Sequence, residues 1–351
     1  MALAMQLAER GRYTAHPNPR VGCVLVKSDK IVGLGWHTRT GDSHAEVNAL
    51  ADASGNAKGA TAFVTLEPCS HVGKTPPCCD ALIAAGVSKV ICAMRDPNPK
   101  VSGRGLEALR QAGISVSSGL MEAQAEHINR GYLSRMRFGR PFVRLKMAAS
   151  LDGATAMRDG QSQWITGKDA RADVQRLRAE SGAILTGIGT VVADDPSLTV
   201  RDAGLTNVQP TRIVVDSKLR MPPSACMLAL DGATVIYCAV DSGRLRLEAA
   251  GATVHKYPGD NGQVHLTRVI ESLAQHGIND VLVEAGPVLA GAFMEQRLVD
   301  ELVIYQAPHI MGSETRGMFL TPHWKELSDR AELTITDVRQ IGNDTRITAI
   351  P

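Results

Sequence analysis

The sequence of 351 residues has few aromatic residues, almost no net charge and no long apolar stretch. Phe, Trp and Tyr make up 4% of the chain, which leaves few rings for stacking against nucleobases. Lys and Arg number 38 against 36 for Asp and Glu, a balance too even to attract nucleic acid or a membrane surface. No apolar run approaches the roughly 18 residues that span a bilayer. The sequence therefore predicts a protein that binds neither nucleic acid nor membranes.

The seven cysteines are an odd number, and two of them, Cys78 and Cys79, are adjacent. A disulfide framework is not expected in a chain of this length, so reduced thiols or a metal site are the better interpretation. Glu9 and Arg10 stand where the apolar core of a secretory signal would continue, so no signal peptide is predicted. We expect a cytoplasmic protein.

The distribution of apolar residues predicts two α/β domains. A hairpin followed by βα units in the first half implies a mixed sheet with helices on its faces. A basic segment ends at Arg140, and a fresh alternation of strands and helices begins after it. The boundary is therefore placed between domains 1–140 and 141–351, and the strand-rich ending predicts antiparallel edge strands. Strands are predicted at 21–26, 31–36, 60–66, 89–94, 114–117, 142–148, 183–187, 211–216, 234–239, 280–285, 301–307, 333–338 and 345–350. Helices are predicted at 44–53, 78–85, 104–112, 121–139, 168–180, 265–276 and 287–298.

The first domain contains residues that suit a catalytic zinc site. Such a site uses three protein ligands and keeps a fourth position open for water, and His44, Cys69 and Cys78 could supply the three. Glu46 follows the His by two residues, close enough to move protons without binding the metal. The pattern H-x-E followed by P-C and a further Cys is typical of zinc nucleobase deaminases. Here eight residues, 70–77, separate the two Cys positions instead of two.

A purely structural zinc site is the alternative, and it would need a fourth ligand. Cys79 and His71 are the available candidates. Because neighbouring residues of a helix point about 100° apart, Cys78 and Cys79 cannot easily face the same metal.

Several segments resemble the family of bifunctional riboflavin-biosynthesis deaminase/reductases: 16–22 (HPNPRVG), 44–46 (HAE), 65–71 (TLEPCSH), 74–80 (KTPPCCD) and 96–99 (DPNP). The longer Cys–Cys spacing also matches this family. The resemblance implies a cytidine-deaminase-like N-terminal domain with one zinc per chain, His44, Cys69 and Cys78 as its ligands, and Glu46 as the proton shuttle. Asn18 resembles a substrate-contacting Asn of the deaminase superfamily, although a turn residue between two prolines is an equally good interpretation.

The second domain contains a strand that runs into a glycine-containing helix start at 283–291. The backbone N–H groups of such a start suit a diphosphate, although an ordinary turn into a helix would look the same. Segments 146–153, 162–166, 193–199, 213–217 and 283–286 resemble the reductase half of the same family, which implies a dihydrofolate-reductase-like α/β fold that uses NADPH. The resemblance implies cofactor contacts at Ala148, Trp164, Thr190, Asp194, Ser217, Gly286, Pro287, Val288, Leu289, Ala290, Gly291 and Ala292. It implies substrate contacts at Ser162, Arg178, Leu198, Arg201 and Glu284.

Five cations of this domain could contact a ligand. Arg178 and Arg201 can hold a sugar phosphate through charge-assisted hydrogen bonds. Lys146 is either a polar group near the reacting sugar or a charge at a strand end. Lys218 and Arg220 either contact the 2′-phosphate of NADPH or are simply solvated.

The resemblance of both domains to this family implies consecutive reactions on a small phosphorylated pyrimidine. The first is hydrolytic deamination of 2,5-diamino-6-ribosylamino-4(3H)-pyrimidinone 5′-phosphate, and the second is NADPH-dependent reduction of its ribosyl group to ribityl. We expect a homo-oligomer. The alternatives are a nucleoside or tRNA deaminase with an accessory C-terminal binding domain, and a non-enzymatic zinc-stabilised binding module.

Overall fold

The computed structural model describes residues 1–70, 76–99, 101–206 and 208–351. The chain divides into two compact units, Met1–Arg140 and Pro141–Pro351. Within the described ranges, no helix combines the length and the apolar character needed to cross a membrane.

The first unit is built on a five-stranded mixed sheet in the order β2-β1-β3-β4-β5. Strand β1 pairs antiparallel with β2 and β3, whereas β3, β4 and β5 run parallel. This arrangement confirms the predicted mixed sheet. The strands are β1 (Gly22–Lys27), β2 (Lys30–Trp36), β3 (Thr61–Val64), β4 (Lys89–Cys92) and β5 (Ser115–Ser118), and the helices are α1 (Ala2–Glu9), α2 (Ala45–Asp52), α3 (Cys78–Ala84), α4 (Arg104–Gln111), α5 (Glu122–Ile128) and α6 (Arg130–Phe138).

Alternating side chains of β1 explain why helices cover both faces of this sheet. Cys23 and Leu25 pack with α2 and α3 in one core cluster, whereas Val24 packs with α1 in another. Helix α1, which the sequence analysis did not predict, fills the second face. Because successive side chains of a strand point to opposite faces, a strand apolar throughout must be covered on both sides.

The single helix predicted at 121–139 is wrong, because the structure breaks it at Asn129 into α5 and α6. The Asn129 side chain accepts a hydrogen bond from the Arg20 backbone N–H at 2.8 Å and donates to the Arg20 carbonyl at 2.9 Å. Asn129 has non-helical backbone angles, with φ at −109° and ψ at 18°. This contact reaches across 109 residues of sequence, so helical periodicity alone cannot predict it.

The second unit is built on a nine-stranded sheet in the order β11-β10-β9-β8-β12-β6-β13-β16-β15. The seven neighbouring strands from β11 through β13 in this sheet order are parallel. The β15–β16 hairpin adds the antiparallel edge that the sequence predicts. The strands of this unit are β6 (Phe142–Ser150), β7 (Ala154–Met157), β8 (Ala183–Gly187), β9 (Thr211–Val215), β10 (Thr234–Cys238), β11 (Thr253–Lys256), β12 (Asp280–Glu284), β13 (Glu301–Ala307), β14 (Thr315–Gly317), β15 (Thr334–Ile341) and β16 (Asp344–Ile350). The helices are α7 (Lys168–Glu180), α8 (Ile188–Asp194), α9 (Arg244–Ala249), α10 (Leu266–Gln275) and α11 (Pro287–Glu295).

Strand β12 lies at the place in this sheet where the strand order predicts a binding cleft. It lies between β6 and β8, although it follows both of them in the chain. The connection from β8 leads to β9 on one side, whereas the connection from β12 leads past β6 to β13 on the other side, so the strand order reverses between β8 and β12. In open parallel sheets a ligand crevice forms outside the carboxyl ends of the strands at such a reversal.

Five elements of this unit were not predicted: β7, α8, α9, β11 and β14. Each has seven residues or fewer, too short for a period to be recognised in the sequence. The three strands among them are defined by their pairing with distant segments. Strand β11 joins the edge of the large sheet beside β10, and β14 pairs with β7.

An aromatic cluster at the β11 edge makes the stability of the second unit depend on pH. The ring of His255 stacks on Tyr237 with centroids 5.5 Å apart and lies 5.7 Å from the ring of His276. Burial, followed by the charges of His276 and Arg244, lowers the pKa of His255. The folded state then binds fewer protons at this site than the unfolded chain does. Its contribution to stability is therefore present above the ordinary imidazole pKa of about 6.5 and is lost as the pH falls below it.

We expect the His255→Phe variant to lose less stability on acidification than the unaltered protein, because phenylalanine keeps the stacking ring and cannot be protonated. Urea unfolding at about pH 5 and about pH 8 would measure the difference. Equal losses in the two proteins would contradict the role assigned to His255.

Candidate functional site

Three potential metal ligands of the first unit come together from three separate segments. His44 immediately precedes α2, Cys78 is the first residue of α3, and Cys69 lies in the loop beyond β3. The His44 Nδ1 atom is 3.5 Å from the Cys69 Sγ and 3.3 Å from the Cys78 Sγ. The ligand atoms all lie within 4.8 Å of one another, and no other group of this kind occurs among the described residues. One imidazole nitrogen and two sulfurs at this spacing fit Zn²⁺ with a fourth position left open.

The loop that carries Cys69 is held against α4. The buried carboxylate of Glu67 accepts hydrogen bonds from the backbone N–H groups of Gly103 and Gly105, each at 3.0 Å. A Cβ atom added to Gly105 would lie 2.0 Å from the Pro68 carbonyl oxygen, so only glycine permits this close approach. The Glu67-Pro68-Cys69 segment is thereby anchored before it reaches the metal ligands.

Hydrogen bonds around Cys69 favour its thiolate form. The Cys78 thiol donates to it, and the Cys78 backbone N–H lies 3.3 Å from the Cys69 Sγ. These contacts and His44 lower the pKa of Cys69, whereas the hydrogen bond to Cys69 and burial raise that of Cys78. A thiolate is the form that binds zinc, so one of the two sulfurs is already prepared for a metal.

Glu46 is the second residue of α2 and is 3% exposed. Burial raises the pKa of this carboxyl to about 7. A carboxyl that titrates near neutral pH can both accept and release a proton under ordinary conditions.

Of the two candidates for a fourth ligand, Cys79 and His71, the structure describes only Cys79. The Cys79 thiol donates to the carbonyl oxygens of Pro68 and Gly105, at 3.3 and 3.4 Å, and so points away from His44. The prediction that Cys78 and Cys79 cannot face one metal is in agreement with this geometry. His71 lies outside the described residues.

Asn18 is oriented by His37, a residue that the sequence analysis missed. The Nδ1 atom of His37 lies 3.2 Å from the Ser43 carbonyl, which can only accept, so Nδ1 carries the proton of the neutral ring. The Nε2 atom is then free to accept from the Asn18 Nδ2 at 3.0 Å. The Asn18 carbonyl oxygen is left as the end that can accept a hydrogen bond from a ligand. A His is common in loops, and nothing in the sequence linked position 37 to position 18.

The second unit contains a cleft of about 1570 Å³ at the carboxyl ends of β6, β8, β9 and β12. It forms where the strand order reverses, as the topology leads one to expect. Most of the predicted cofactor and substrate residues line it: Lys146, Ala148, Ser162, Trp164, Arg178, Thr190, Asp194, Leu198, Arg201, Ser217, Glu284, Gly286, Pro287, Val288, Leu289 and Ala292.

Ala290 and Gly291, which were predicted as cofactor contacts, do not line this cleft. Ala290 is fully buried in the main core of the unit. A Cβ atom on Gly291 would lie 1.9 Å from the Leu320 carbonyl oxygen, so this glycine allows α11 to pack against the segment at Leu320. The two residues are on the inner face of α11. The first turn of the helix still presents unbonded backbone N–H groups at Val288 and Leu289, which suit a phosphate.

Arg178 is held by an ion pair inside the cleft. Its Nε and Nη2 atoms donate to the two carboxylate oxygens of Glu284 at 2.6 and 3.0 Å, and its Nη1 donates to the Thr199 carbonyl at 3.0 Å. The pKa of Glu284 is lowered by Arg178 against the opposing effect of burial. Burial lowers the pKa of the nearby Lys146, the charge of Glu284 opposes this effect, and the charge of Arg178 adds to it. Arg178 is therefore already bound to Glu284, and Lys146 lies beside this ion pair.

Two further polar residues of α7, Arg171 and Gln175, line the cleft and were not predicted. The Arg171 guanidinium lies 4.5 Å from the ring centre of Trp164, and the Gln175 side chain accepts from the Arg201 backbone N–H at 2.8 Å. A signal for both was available, because positions 171, 175 and 178 fall on one face of a helix. Gln175 thus supports the chain at Arg201.

The chain is similar to known proteins over its whole length. Residues 141–347 match a family model described as the RibD C-terminal domain, and residues 1–94 match one described as the cytidine and deoxycytidylate deaminase zinc-binding region. The riboflavin biosynthesis protein RibD of Escherichia coli strain K12 is 50% identical, over 98% of this chain and 96% of that protein. The RibD of Haemophilus influenzae is 47% identical, over 100% of this chain and 96% of that protein.

Solved structures give the same result. Form 1 of Acinetobacter baumannii RibD matches with a TM-score of 0.93 and 43% identity, covering 100% of this chain and 97% of that one. A diaminohydroxyphosphoribosylaminopyrimidine deaminase/5-amino-6-(5-phosphoribosylamino)uracil reductase from Thermotoga maritima matches with a TM-score of 0.88 and 31% identity, covering 100% and 97%. The predicted family and fold class, a cytidine-deaminase-like unit followed by a dihydrofolate-reductase-like unit, are confirmed. The chain belongs to the RibD family of bifunctional riboflavin-biosynthesis deaminase/reductases.

Proposed function

We propose that this chain catalyses two consecutive steps of riboflavin biosynthesis. The unit Met1–Arg140 deaminates 2,5-diamino-6-ribosylamino-4(3H)-pyrimidinone 5′-phosphate by hydrolysis, and the unit Pro141–Pro351 reduces the ribosyl group of the product to ribityl with NADPH. One observation carries the proposal: a His44–Cys69–Cys78 set beside a buried Glu46, in the same chain as a separate cleft with a carboxylate and several cations.

The deaminase step uses residues of the first unit in distinct roles. His44, Cys69 and Cys78 would hold one zinc ion per chain, which when bound supplies the Lewis acidity that activates water. The oxygen of that water bonds to the amino-bearing ring carbon while the buried carboxylate of Glu46 takes a proton from it. Glu46 then passes the proton to the amino nitrogen, the carbon–nitrogen bond breaks and ammonia leaves. Asn18, turned by His37, binds the pyrimidine through its carbonyl oxygen.

For the reductase step, one side of the cleft binds the cofactor and the other binds the substrate. NADPH when bound supplies the hydride that reduces the sugar carbon, and the protein orients the two molecules. Ala148, Trp164, Thr190, Asp194, Ser217 and the first turn of α11 form the cofactor side. Ser162, Leu198, Arg201 and the Arg178–Glu284 pair form the substrate side. Arg201, whose backbone is held by Gln175, binds the sugar phosphate through its guanidinium.

Lys146 lies at the junction of the two sides. It shares the cleft with Glu284 and Arg178, and its lowered pKa reflects burial beside that pair. In the proposed function its ammonium group donates to an oxygen of the reacting sugar and so orients the carbon that is reduced.

We also propose a binding partner, a cellular location and an oligomeric state for the enzyme. The partner is a small phosphorylated pyrimidine rather than a nucleic acid, in keeping with the even charge balance. We place the protein in the cytoplasm and expect it to be a homo-oligomer. The β15 edge supports an oligomer, because Ile335 and Val338 on this strand are 61% and 58% exposed.

Both activities can be tested with the purified, zinc-loaded full chain. We expect ammonia release from the diaminopyrimidinone substrate, followed by oxidation of NADPH once the deaminated product has formed. RNA and free nucleosides serve as comparison substrates, and we expect no ammonia from either. Ammonia release from RNA but not from the pyrimidine, without NADPH oxidation, would contradict the proposal in favour of a nucleic-acid deaminase.

A further inference from the structure

Gln209 binds both polar backbone groups of one residue next to the cleft of the second unit. Its Oε1 atom accepts from the Val200 backbone N–H at 2.8 Å, and its Nε2 atom donates to the Val200 carbonyl at 2.9 Å. A primary amide carries a donor and an acceptor side by side, so Gln209 pairs with Val200 as the opposite residue of an antiparallel strand would. Gln209 itself does not line the cleft. The proposed function gives it no role.

The residues before and after Val200 are also held, but by side chains of the cleft. Arg178 donates to the Thr199 carbonyl at 3.0 Å, and Gln175 accepts from the Arg201 backbone N–H at 2.8 Å. Both of these side chains line the cleft. The amide that holds the middle residue is therefore the only one of the three that lies outside it.

The neighbours of Gln209 hold it in place. Pro210 follows it, and the residue before a proline is restricted to extended conformations. A Cβ atom added to Gly232 would lie 3.1 Å from the Gln209 Cβ, so the side chain packs against the loop at Gly232. The buried Arg212 holds that loop, because its Nη1 atom donates to the Asp231 carbonyl at 2.8 Å. The Gln209 amide is therefore presented from a well-supported part of the fold.

The guanidinium of Arg201 depends on its backbone for its position. It lines the cleft, and against the opposing effect of burial the nearby cations, Arg201 among them, lower the pKa of Glu284. Arg178 is already bound to Glu284 through two hydrogen bonds, whereas the described part of the chain gives Arg201 no carboxylate within ion-pair distance. The position of the Arg201 charge is therefore set mainly by the backbone of residues 199–201.

We propose that Gln209 is a positioning residue of the reductase, which holds the backbone at Val200 and thereby directs the Arg201 guanidinium at the substrate phosphate. A phosphate remote from the reacting carbon is bound equally in the ground state and the transition state. Misplacing Arg201 therefore weakens substrate binding without slowing the chemical step, and the effect appears in KM rather than in kcat. The inference rests on the proposed reductase function, in which Arg201 binds the sugar phosphate.

The experiment compares two substrates of the full-length reductase, the deaminated intermediate and the same compound without its phosphate. Gln209→Met keeps the length of the side chain and its lack of charge, but it cannot donate to the Val200 carbonyl and accepts only weakly from the N–H. We expect the KM for the phosphorylated substrate to rise about tenfold with kcat nearly unchanged. The kcat/KM for the dephosphorylated substrate and the dissociation constant of NADPH should not change, whereas a general loosening of the unit would alter both.

A double-variant cycle shows whether Gln209 acts through Arg201. Arg201→Ala alone should remove the preference for the phosphorylated substrate, and adding Gln209→Met to it should cause no further loss. If Gln209→Met does not fold, Gln209→Asn replaces it with the same expectation, because its amide is one methylene shorter. The control is Gln340→Met, which removes an amide that donates to the Gly342 carbonyl at 3.1 Å, outside the cleft. It should leave KM and kcat unchanged.

Three outcomes would overturn the role assigned to Gln209. In the first, the KM for the phosphorylated substrate is unchanged in the folded variant. In the second, both substrates lose kcat/KM equally, so the residue is only structural. In the third, the losses add in the double variant, so Gln209 acts independently of Arg201. Failure of the proposed function would look different: the unaltered protein would oxidise NADPH with neither substrate, or Arg201→Ala would keep the full preference for the phosphorylated one.

Discussion

The Glu46→Gln variant is expected to release ammonia at least a hundredfold more slowly than the unaltered enzyme. Glutamine keeps the shape and hydrogen bonding of the side chain but cannot accept a proton, and general acid–base catalysis typically contributes about a hundred- to ten-thousand-fold. Zinc content should stay near one per chain, because His44, Cys69 and Cys78 are untouched. Reduction of the deaminated intermediate by NADPH should persist, because the cleft belongs to the other unit.

Two cysteine variants provide matched controls for this result. Cys78→Ser removes a sulfur that lies 3.3 Å from the His44 Nδ1 and should lower both zinc content and ammonia release. Cys79→Ser alters the adjacent residue, whose thiol donates to the carbonyl oxygens of Pro68 and Gly105, and a hydroxyl can donate to the same atoms. This variant should therefore keep its zinc and its deaminase activity.

The measurements are metal analysis of each purified variant and an assay of ammonia released from the diaminopyrimidinone substrate. Loss of zinc from Glu46→Gln would show that Glu46 is a ligand and that its assigned role is wrong. Undiminished ammonia release from a zinc-loaded Glu46→Gln protein would show that another residue moves the proton. Equal loss of zinc from the Cys78 and Cys79 variants would contradict the ligand set.

Arg178→Ala is expected to raise the reductase KM strongly and also to destabilise the second unit. The Arg178 and Glu284 side chains are only 12% and 13% exposed, so removal of the guanidinium leaves a buried carboxylate without its partner. Breaking a buried ion pair in this way typically costs about 3 to 5 kcal/mol. The substrate side of the cleft also loses a group that holds Thr199 in place. Ammonia release, which belongs to the first unit, should change little.

The double variant Arg178→Ala/Glu284→Ala separates stability from substrate binding. Removing both charges avoids the unpaired carboxylate, so the free energy of unfolding should recover much of the loss seen in the single variant. The reductase KM should stay high, because both groups of the proposed substrate side are gone. Urea unfolding and steady-state NADPH oxidation measure the two effects. Reductase kinetics that are unchanged in Arg178→Ala would remove Arg178 from the substrate site.

The cluster of potential metal ligands in the first unit could be predicted from the sequence because its residues belong to short local patterns. The separation of His44 from Glu46 is two residues, and Cys78 opens a helix in which Cys79 must point elsewhere. Helical geometry is a local property, so adjacency alone predicts that Cys78 and Cys79 point in different directions. The structure shows that Cys78 is the one that faces His44, whereas Cys79 packs in the core. The apolar alternation likewise predicted most strands of both sheets, including the antiparallel edge formed by β15 and β16.

Other features depend on contacts between residues far apart in the chain. The break at Asn129 requires the Arg20 backbone, and the orientation of Asn18 requires His37 and Ser43. Such contacts leave no period or spacing in the sequence by which they could be recognised.

By itself, the sequence determined which residue types are available for metal binding, proton transfer and phosphate binding, and in which unit they lie. The tertiary structure decided which of them meet. Gly291 belongs to a cofactor-like motif, yet the Leu320 carbonyl makes it a packing residue. Arg178 has the charge for a phosphate, yet Glu284, 106 residues away, already holds it. Helix and strand patterns record interactions over a few residues, whereas the pairing of charges and the close approach of backbones are set only when the strand order brings distant segments together.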